Sequence, residues 1–237
     1  MIRRILLYLC LVIILSFITA FSWIRLTEIG ADELTDLKNG DVIFQTTSSD
    51  LTFPIMLAST SLYTHVGIVK ILPDGTRNVV EAAGPVREIP LDDWIKSGVF
   101  QRISVMRIKG MTPEKAEKAL IAADMYKGIP YDFFFLLSDD QFYCSELVYK
   151  AFLNVGVVVG KKERVRDLSV ANYAVQNYIE KWWYKHPVCR AQGIKGYNEC
   201  VKLILDQQLV TPVSLAKDPN LRMVYTNYGP EWFVSAH

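Results

Sequence analysis

Three side chains in this sequence have the types and the setting to cleave an acyl bond: Cys144, His65 and Glu81. Cys144 lies in Phe142-Tyr143-Cys144-Ser145-Glu146-Leu147-Val148, at the predicted first turn of an amphipathic helix whose buried stripe is Leu147, Val148, Ala151 and Phe152. The positive end of a helix dipole favours an anionic sulfur nucleophile, and the free N–H groups of a first turn can hold an oxyanion. A lone cysteine is more often a small buried apolar side chain. His65 changes that weighing. His186 and His237 fall in a polar stretch and at the C-terminus, whereas His65 stands in the alternating strand Thr64-His65-Val66-Gly67-Ile68-Val69, on one face with Gly67 and Val69. A core histidine satisfied by a carbonyl is the competing reading, but Gly67 on that face signals a close approach.

The turn that follows tests whether a carboxylate joins them. Pro73-Asp74-Gly75, between Leu72 and Thr76, suits a type I turn with a glycine bulge. That register sets Gly67 opposite Glu81 and His65 opposite Ala83. His65 and Glu81 are then diagonal neighbours on one sheet face, about 7–8 Å apart at their backbones. A two-residue loop would send them to opposite faces. Glu81 is the one carboxylate in the apolar run Asn78 to Ala83, although a solvated face would also accept it. A histidine that takes the thiol proton and an acid that orients the ring make a working nucleophile.

The elements that must position these groups can be read in order. A strand starts at Asp41 after the Asn39-Gly40 turn, a short helix covers Asp50 to Thr60, and the hairpin joins Tyr63–Leu72 to Thr76–Ala83. A helical turn over Pro90–Ser97 leads to a strand over Phe100–Ile108. Thr112-Pro113-Glu114 opens a helix that ends near Tyr126, before Gly128. The Cys144 helix runs to about Val155 and is closed by Gly156. From Asp167 to Gln208 the pattern is mostly helical, followed by a Thr211-Pro212 helix start and a short strand at Met223–Tyr225. Strands followed by helices predict an α+β domain.

The composition is 51% hydrophobic and 12% aromatic with a net charge of +1, which predicts a packed globule and gives no basic face for nucleic acid. Arg3-Arg4 followed by an apolar run over residues 5–24 predicts a signal peptide or a membrane anchor within residues 1–24, hence export. Residues 25–37 read as a linker or short helix, and 38–237 as one domain: a core over 38–156, a helical extension over about 157–210 and a tail over 211–237. In an oxidising compartment Cys189 and Cys200 are expected to form a local disulfide, with a zinc site that adds His186 as the weaker alternative. Cys10 reads as filler in the apolar run. No metal, nucleotide or redox cofactor is expected.

Five ordered segments, Gly40-Asp41-Val42-Ile43-Phe44, Thr64–Ile68, Val80-Glu81-Ala82, Gly128–Asp132 and Tyr143–Val148, resemble the circularly permuted NlpC-type papain-like cysteine peptidases, nearest their YiiX/YebB-like group. These are distant relatives of the lecithin–retinol acyltransferases. The resemblance implies a small antiparallel, barrel-like sheet packed on the nucleophile helix, with His65 as base and Glu81 as third member. The acyltransferases usually carry a second histidine at that third position.

The expected function is therefore an extracytoplasmic cysteine hydrolase, in the periplasm or on the outer face of the inner membrane. It would cleave an amide through an acyl-thioester on Cys144, as in the peptide stems of peptidoglycan, with Tyr131 and Tyr143 as substrate contacts. Two alternatives stand beside it. A lipid acyl hydrolase or acyltransferase would need an apolar groove at Cys144, which Phe133-Phe134-Phe135-Leu136-Leu137 could line, although ordinary core packing suits that run better. A non-catalytic envelope binding module would not need the full Cys, His and Glu set.

Overall fold

The computed structural model describes residues 8–16 and 33–229. Most of the expected signal or anchor, and of the linker, lies outside the described residues. Residues 8–16 are an exposed helix, and no helix among the described residues is long and apolar enough to cross a membrane.

Alternating apolar residues build six antiparallel strands: β1 (Val42–Thr47), β2 (His65–Ile71), β3 (Arg77–Ala82), β4 (Val86–Pro90), β5 (Gly98–Ile108) and, far along the chain, β8 (Leu221–Thr226). Their order in the sheet is β4-β3-β2-β1-β5-β8. The sheet does not close into a barrel, because β4 and β8 are its edges. The hairpin turn forms as the residues dictate. Gly75 takes φ +87° and donates to Leu72 O at 2.9 Å, Leu72 N donates to Thr76 O at 2.8 Å, and Gly67 pairs with Glu81.

Period-2 alternation gives the sheet two apolar faces. Val42, Phe44, Val66, Ile68 and Val80 pack against α3 (Pro113–Met125) and α4 (Cys144–Leu153) through Ala119, Leu147, Val148 and Phe152. Ile43, Val69, Val79 and Val105 form a second core with Leu91, Trp94 and Ile95 of α2 (Leu91–Ser97). Two of the helical segments show the expected signals at their ends. Thr112 Oγ1 accepts from Lys115 N at 3.3 Å with Pro113 in the first turn, and Gly156 at φ +72° closes the segment after α4. The start of β1 is fixed by a buried bidentate pair, Arg107 Nε to Asp41 Oδ1 at 2.7 Å and its NH2 group to Oδ2 at 2.8 Å.

The short helix α1 (Thr52–Ser59) joins β1 to β2 and packs on the C-terminal extension. That extension comprises α5 (Tyr173–Trp182), α6 (Pro187–Ala191) and α7 (Tyr197–Asp206), around a small core of Val175, Ile179, Cys189, Cys200 and Ile204. Cys189 and Cys200 form the expected disulfide, which removes the alternative of a zinc site built on them. A two-stranded ladder of β6 (Glu163–Arg164) and β7 (Gln208–Leu209), not foreseen from sequence, frames the extension. The helix α8 (Pro212–Ala216) then starts at a Thr211/Ser214 capping box.

Candidate active site

Cys144 is the first residue of α4, 3% exposed, with Tyr143 in extended conformation as the N-cap. No side chain caps this helix, and its first internal bond runs from Leu147 N to Tyr143 O. The amides of the first turn, where the sulfur is carried, therefore have no helical partner. Two hydroxyls beside Cys144 secure it. Tyr143 Oη accepts from Val210 N at 2.9 Å, and Ser145 Oγ donates to Val210 O at 2.8 Å.

His65 opens β2, so its ring sits at a strand end, next to the helix start. Its Nε2 is 2.6 Å from Glu81 Oε2, as the hairpin register requires. Cys144 also acts on the ring, and with Nε2 held by Glu81 the edge left to the thiol is Nδ1. Burial opposes the charged imidazole. The hydrogen bonds to Cys144 and Glu81 outweigh it and lift the His65 pKa to about 10. Burial likewise opposes the Glu81 carboxylate, but His65 and Arg87 together hold its pKa below the usual range. The ring of His65 also stacks on Trp94, with centroids 5.9 Å apart.

Arg87 was not foreseen. Its Nε donates to Glu81 Oε1 at 2.9 Å, and Glu81 and Arg87 are directly opposed in the β3–β4 ladder. The signal was available. A second hairpin around Gly84-Pro85 pairs these two residues, but the charges in Val86-Arg87-Glu88 hid an edge strand. Gly67 has a different role from the one its position suggested. A Cβ there would lie 2.4 Å from Val79 Cγ1, so the close approach is the neighbouring strand itself.

The two candidate substrate contacts differ. Tyr131 borders Cys144 closely enough for the sulfur's charge to act on its phenol, whose pKa burial and that charge raise well above the usual value. Tyr143 is buried, its hydroxyl engaged with Val210, and its ring forms part of a cavity wall.

Cys144 lines that cavity, whose void, open solvent at its mouth included, is about 960 Å³. Its walls are almost wholly apolar: Ile55 and Ala58 of α1, Phe133 to Phe135, Val175, Ile179 and Trp182 of α5, Ile204 of α7, and Leu209. The aromatic run does not join the main core as expected. Asp132 accepts from the N–H groups of Phe134 and Leu136, which curls the segment into a loop. Side chains of the extension then hold its carbonyls, with Tyr178 Oη on Phe133 O at 2.9 Å and Gln207 Nε2 on Phe134 O at 2.7 Å and Phe135 O at 2.8 Å. Trp182 and Trp183 both line this cavity.

A helix-start thiol, a strand imidazole and an adjacent carboxylate on an antiparallel sheet define a papain-like hydrolase whose histidine strand precedes its cysteine helix. Residues 36–225 match the model of the permuted papain-like amidase enzymes, the YaeF/YiiX or C92 family, and the chain belongs to that family. It is 30% identical over 197 residues to the uncharacterized protein YiiX of Escherichia coli K12, covering 82% of this chain and 87% of that one. Over 110 residues it is 32% identical to the probable lipoprotein peptidase YaeF of the same organism, covering 45% of this chain and 38% of that one. The crystal structure of metalloprotein yiiX from E. coli O157:H7 superposes with a TM-score of 0.70 at 31% identity, covering 81% of this chain and 98% of that chain. "Metalloprotein" is said of that protein. Among the described residues here, no three His, Cys, Asp or Glu side chains gather as a ligand set.

Proposed function

We propose that this chain is a cysteine amidase that releases an amine from an amide whose acyl part is long and apolar. The observation that carries this reading is the apolar cavity opening at Cys144. Peptide stems of peptidoglycan present short, polar acyl groups, which such walls would desolvate without return. A hydrocarbon chain gains about 0.8 kcal/mol for each methylene it buries.

In the reaction, the charged His65 ring already holds the proton drawn from Cys144, and Cys144 Sγ attacks the carbonyl carbon. The oxyanion forms beside the uncapped amides of the α4 first turn. His65 then gives the proton to the departing nitrogen, leaving the acyl group as a thioester on Cys144. A water that loses its proton to His65 attacks the thioester, and the acid and the thiol are released. Glu81 keeps the ring oriented and stabilises its charged form, and Arg87 keeps Glu81 ionised. Tyr131 borders the reacting carbonyl, and Tyr143 supports the helix start and walls the acyl site.

Export supports an envelope substrate. The Arg3-Arg4 and apolar run at the N-terminus and the Cys189–Cys200 disulfide agree with it, as does the description of YaeF as a probable lipoprotein peptidase. Residues 5–24, retained, would keep the site at a membrane surface, where acyl chains are found.

The test is a panel assayed side by side: N-acyl amides with short to long chains, the matching O-acyl esters, and muropeptides. The reading requires kcat/KM to climb with amide chain length and to vanish in Cys144→Ala. Preference for esters would favour the acyl-lipid hydrolase or transferase alternative. Cleavage of muropeptides alone would restore the peptidoglycan reading.

A further inference from the structure

Two residues that line the apolar cavity and touch Phe134, His186 and Gln207, each carry a buried polar atom without a partner. His186 is 5% exposed and lines the cavity, and its ring meets that of Phe134 edge-on with centroids 5.0 Å apart. Its Nδ1 is buried with no hydrogen-bond partner. Gln207 also lines the cavity. Its Nε2 is committed to Phe134 O and Phe135 O, which fixes the amide orientation and leaves Oε1 buried and unpartnered. A buried polar atom left without a partner costs about 1–3 kcal/mol, so two such atoms on one cavity wall mark a place where a ligand supplies what the protein does not.

We infer that the acyl cavity carries a polar subsite, formed by His186 and Gln207 at Phe134, that accepts a hydroxyl group on the substrate's hydrocarbon chain. The chemistry selects the group. Gln207 Oε1 only accepts, so the ligand must donate to it. Burial lowers the His186 pKa to about 4, so the ring is neutral at pH 7 and can present an N–H at Nδ1. A hydroxyl has both roles in one group, a donor for Gln207 and an acceptor for His186. A carboxylate would meet the Gln207 carbonyl with the wrong sign, and an ammonium would lose its hydration among apolar walls. The inference rests on the acyl reading of the cavity and adds the substrate class, a hydroxylated rather than a plain acyl chain.

Binding, measured apart from turnover, tests it. Full-chain Cys144→Ala is titrated calorimetrically with dodecanamide and with its positional monohydroxy isomers. One isomer is expected to bind about tenfold more tightly than the plain amide, the worth of a pair of well-made buried hydrogen bonds. His186→Phe, which keeps an aromatic ring beside Phe134, should erase that preference, so that the hydroxylated and plain amides bind alike. Equal binding of all isomers to the Cys144→Ala chain overturns the subsite while the acyl reading stands, and this comparison needs no His186 variant to fold. Binding of none overturns both.

Discussion

Glu81 is held from both sides, by His65 Nε2 on its Oε2 at 2.6 Å and by Arg87 Nε on its Oε1 at 2.9 Å. One carboxylate thus links the imidazole to a cation on the sheet's edge strand. Glu81→Gln is expected to lower kcat/KM by about 10²-fold or more, because the ring loses both its orientation and its countercharge. Arg87→Met should cost less, about threefold to tenfold, and should move the acidic limb of the pH–rate profile upward. A profile that stays in place would mean that Arg87 has no hold on Glu81.

The proposed activation of the thiol by the imidazole can be read from labelling. Iodoacetamide should modify Cys144 at pH 7 at least about tenfold faster in the native chain than in His65→Ala. Mass spectrometry of the labelled peptide reads this directly. Equal rates in the two chains would show that His65 does not activate the sulfur.

His65 also ties stability to pH. Its pKa is raised from 6.5 to about 10 on folding, so its contribution is complete below pH 6.5 and fades as pH rises through about 10. Urea melts should therefore show His65→Gln destabilised by at least about 1 kcal/mol more at pH 6.5 than at pH 10. A gap independent of pH would contradict the charged, doubly bonded ring.

Gly67 faces Val79 so closely that a methyl group has no room. Gly67→Ala is expected to cost about 1–3 kcal/mol in chemical denaturation. Because Gly67 is the cross-strand partner of Glu81, activity should fall beyond what the lost stability explains.

Ala58 lines the cavity from α1. Ala58→Phe should reduce kcat/KM on long-chain amides by about tenfold or more and leave butyramides within about threefold. A uniform loss across chain lengths would point to a disturbed helix start rather than a filled acyl site.

Much of the site was legible because it depends on local chemistry. Pro73-Asp74-Gly75 fixed the hairpin register and with it the His65–Glu81 pair, and Thr112-Pro113 and Thr211-Pro212 fixed helix starts. Arg87 was missed because its edge strand mixes charge with apolar residues, a pattern that reads as a turn. The apolar cavity was weighed as a groove that the aromatic run could line, but core packing was preferred, for a different reason. Phe133-Phe134-Phe135 looks like core in any local window. Its placement depends on Asp132, Tyr178 and Gln207, and the last two lie more than forty residues along the chain. The open sheet, where a barrel-like one was expected, is likewise set by which strands find each other across the whole chain.

Val210 meets the residues on both sides of the nucleophile, through its N–H to Tyr143 and its carbonyl to Ser145. Leu209 next to it walls the cavity, and Gln207 grips the aromatic loop. A single short stretch of backbone therefore sets the height of the sulfur, the shape of the acyl site and the position of its lining loop together. Any insertion or deletion between α7 and α8 would be felt at Cys144 as directly as a change in its own helix. For this chain, the last third acts as the jig in which the Cys144 thiol is mounted.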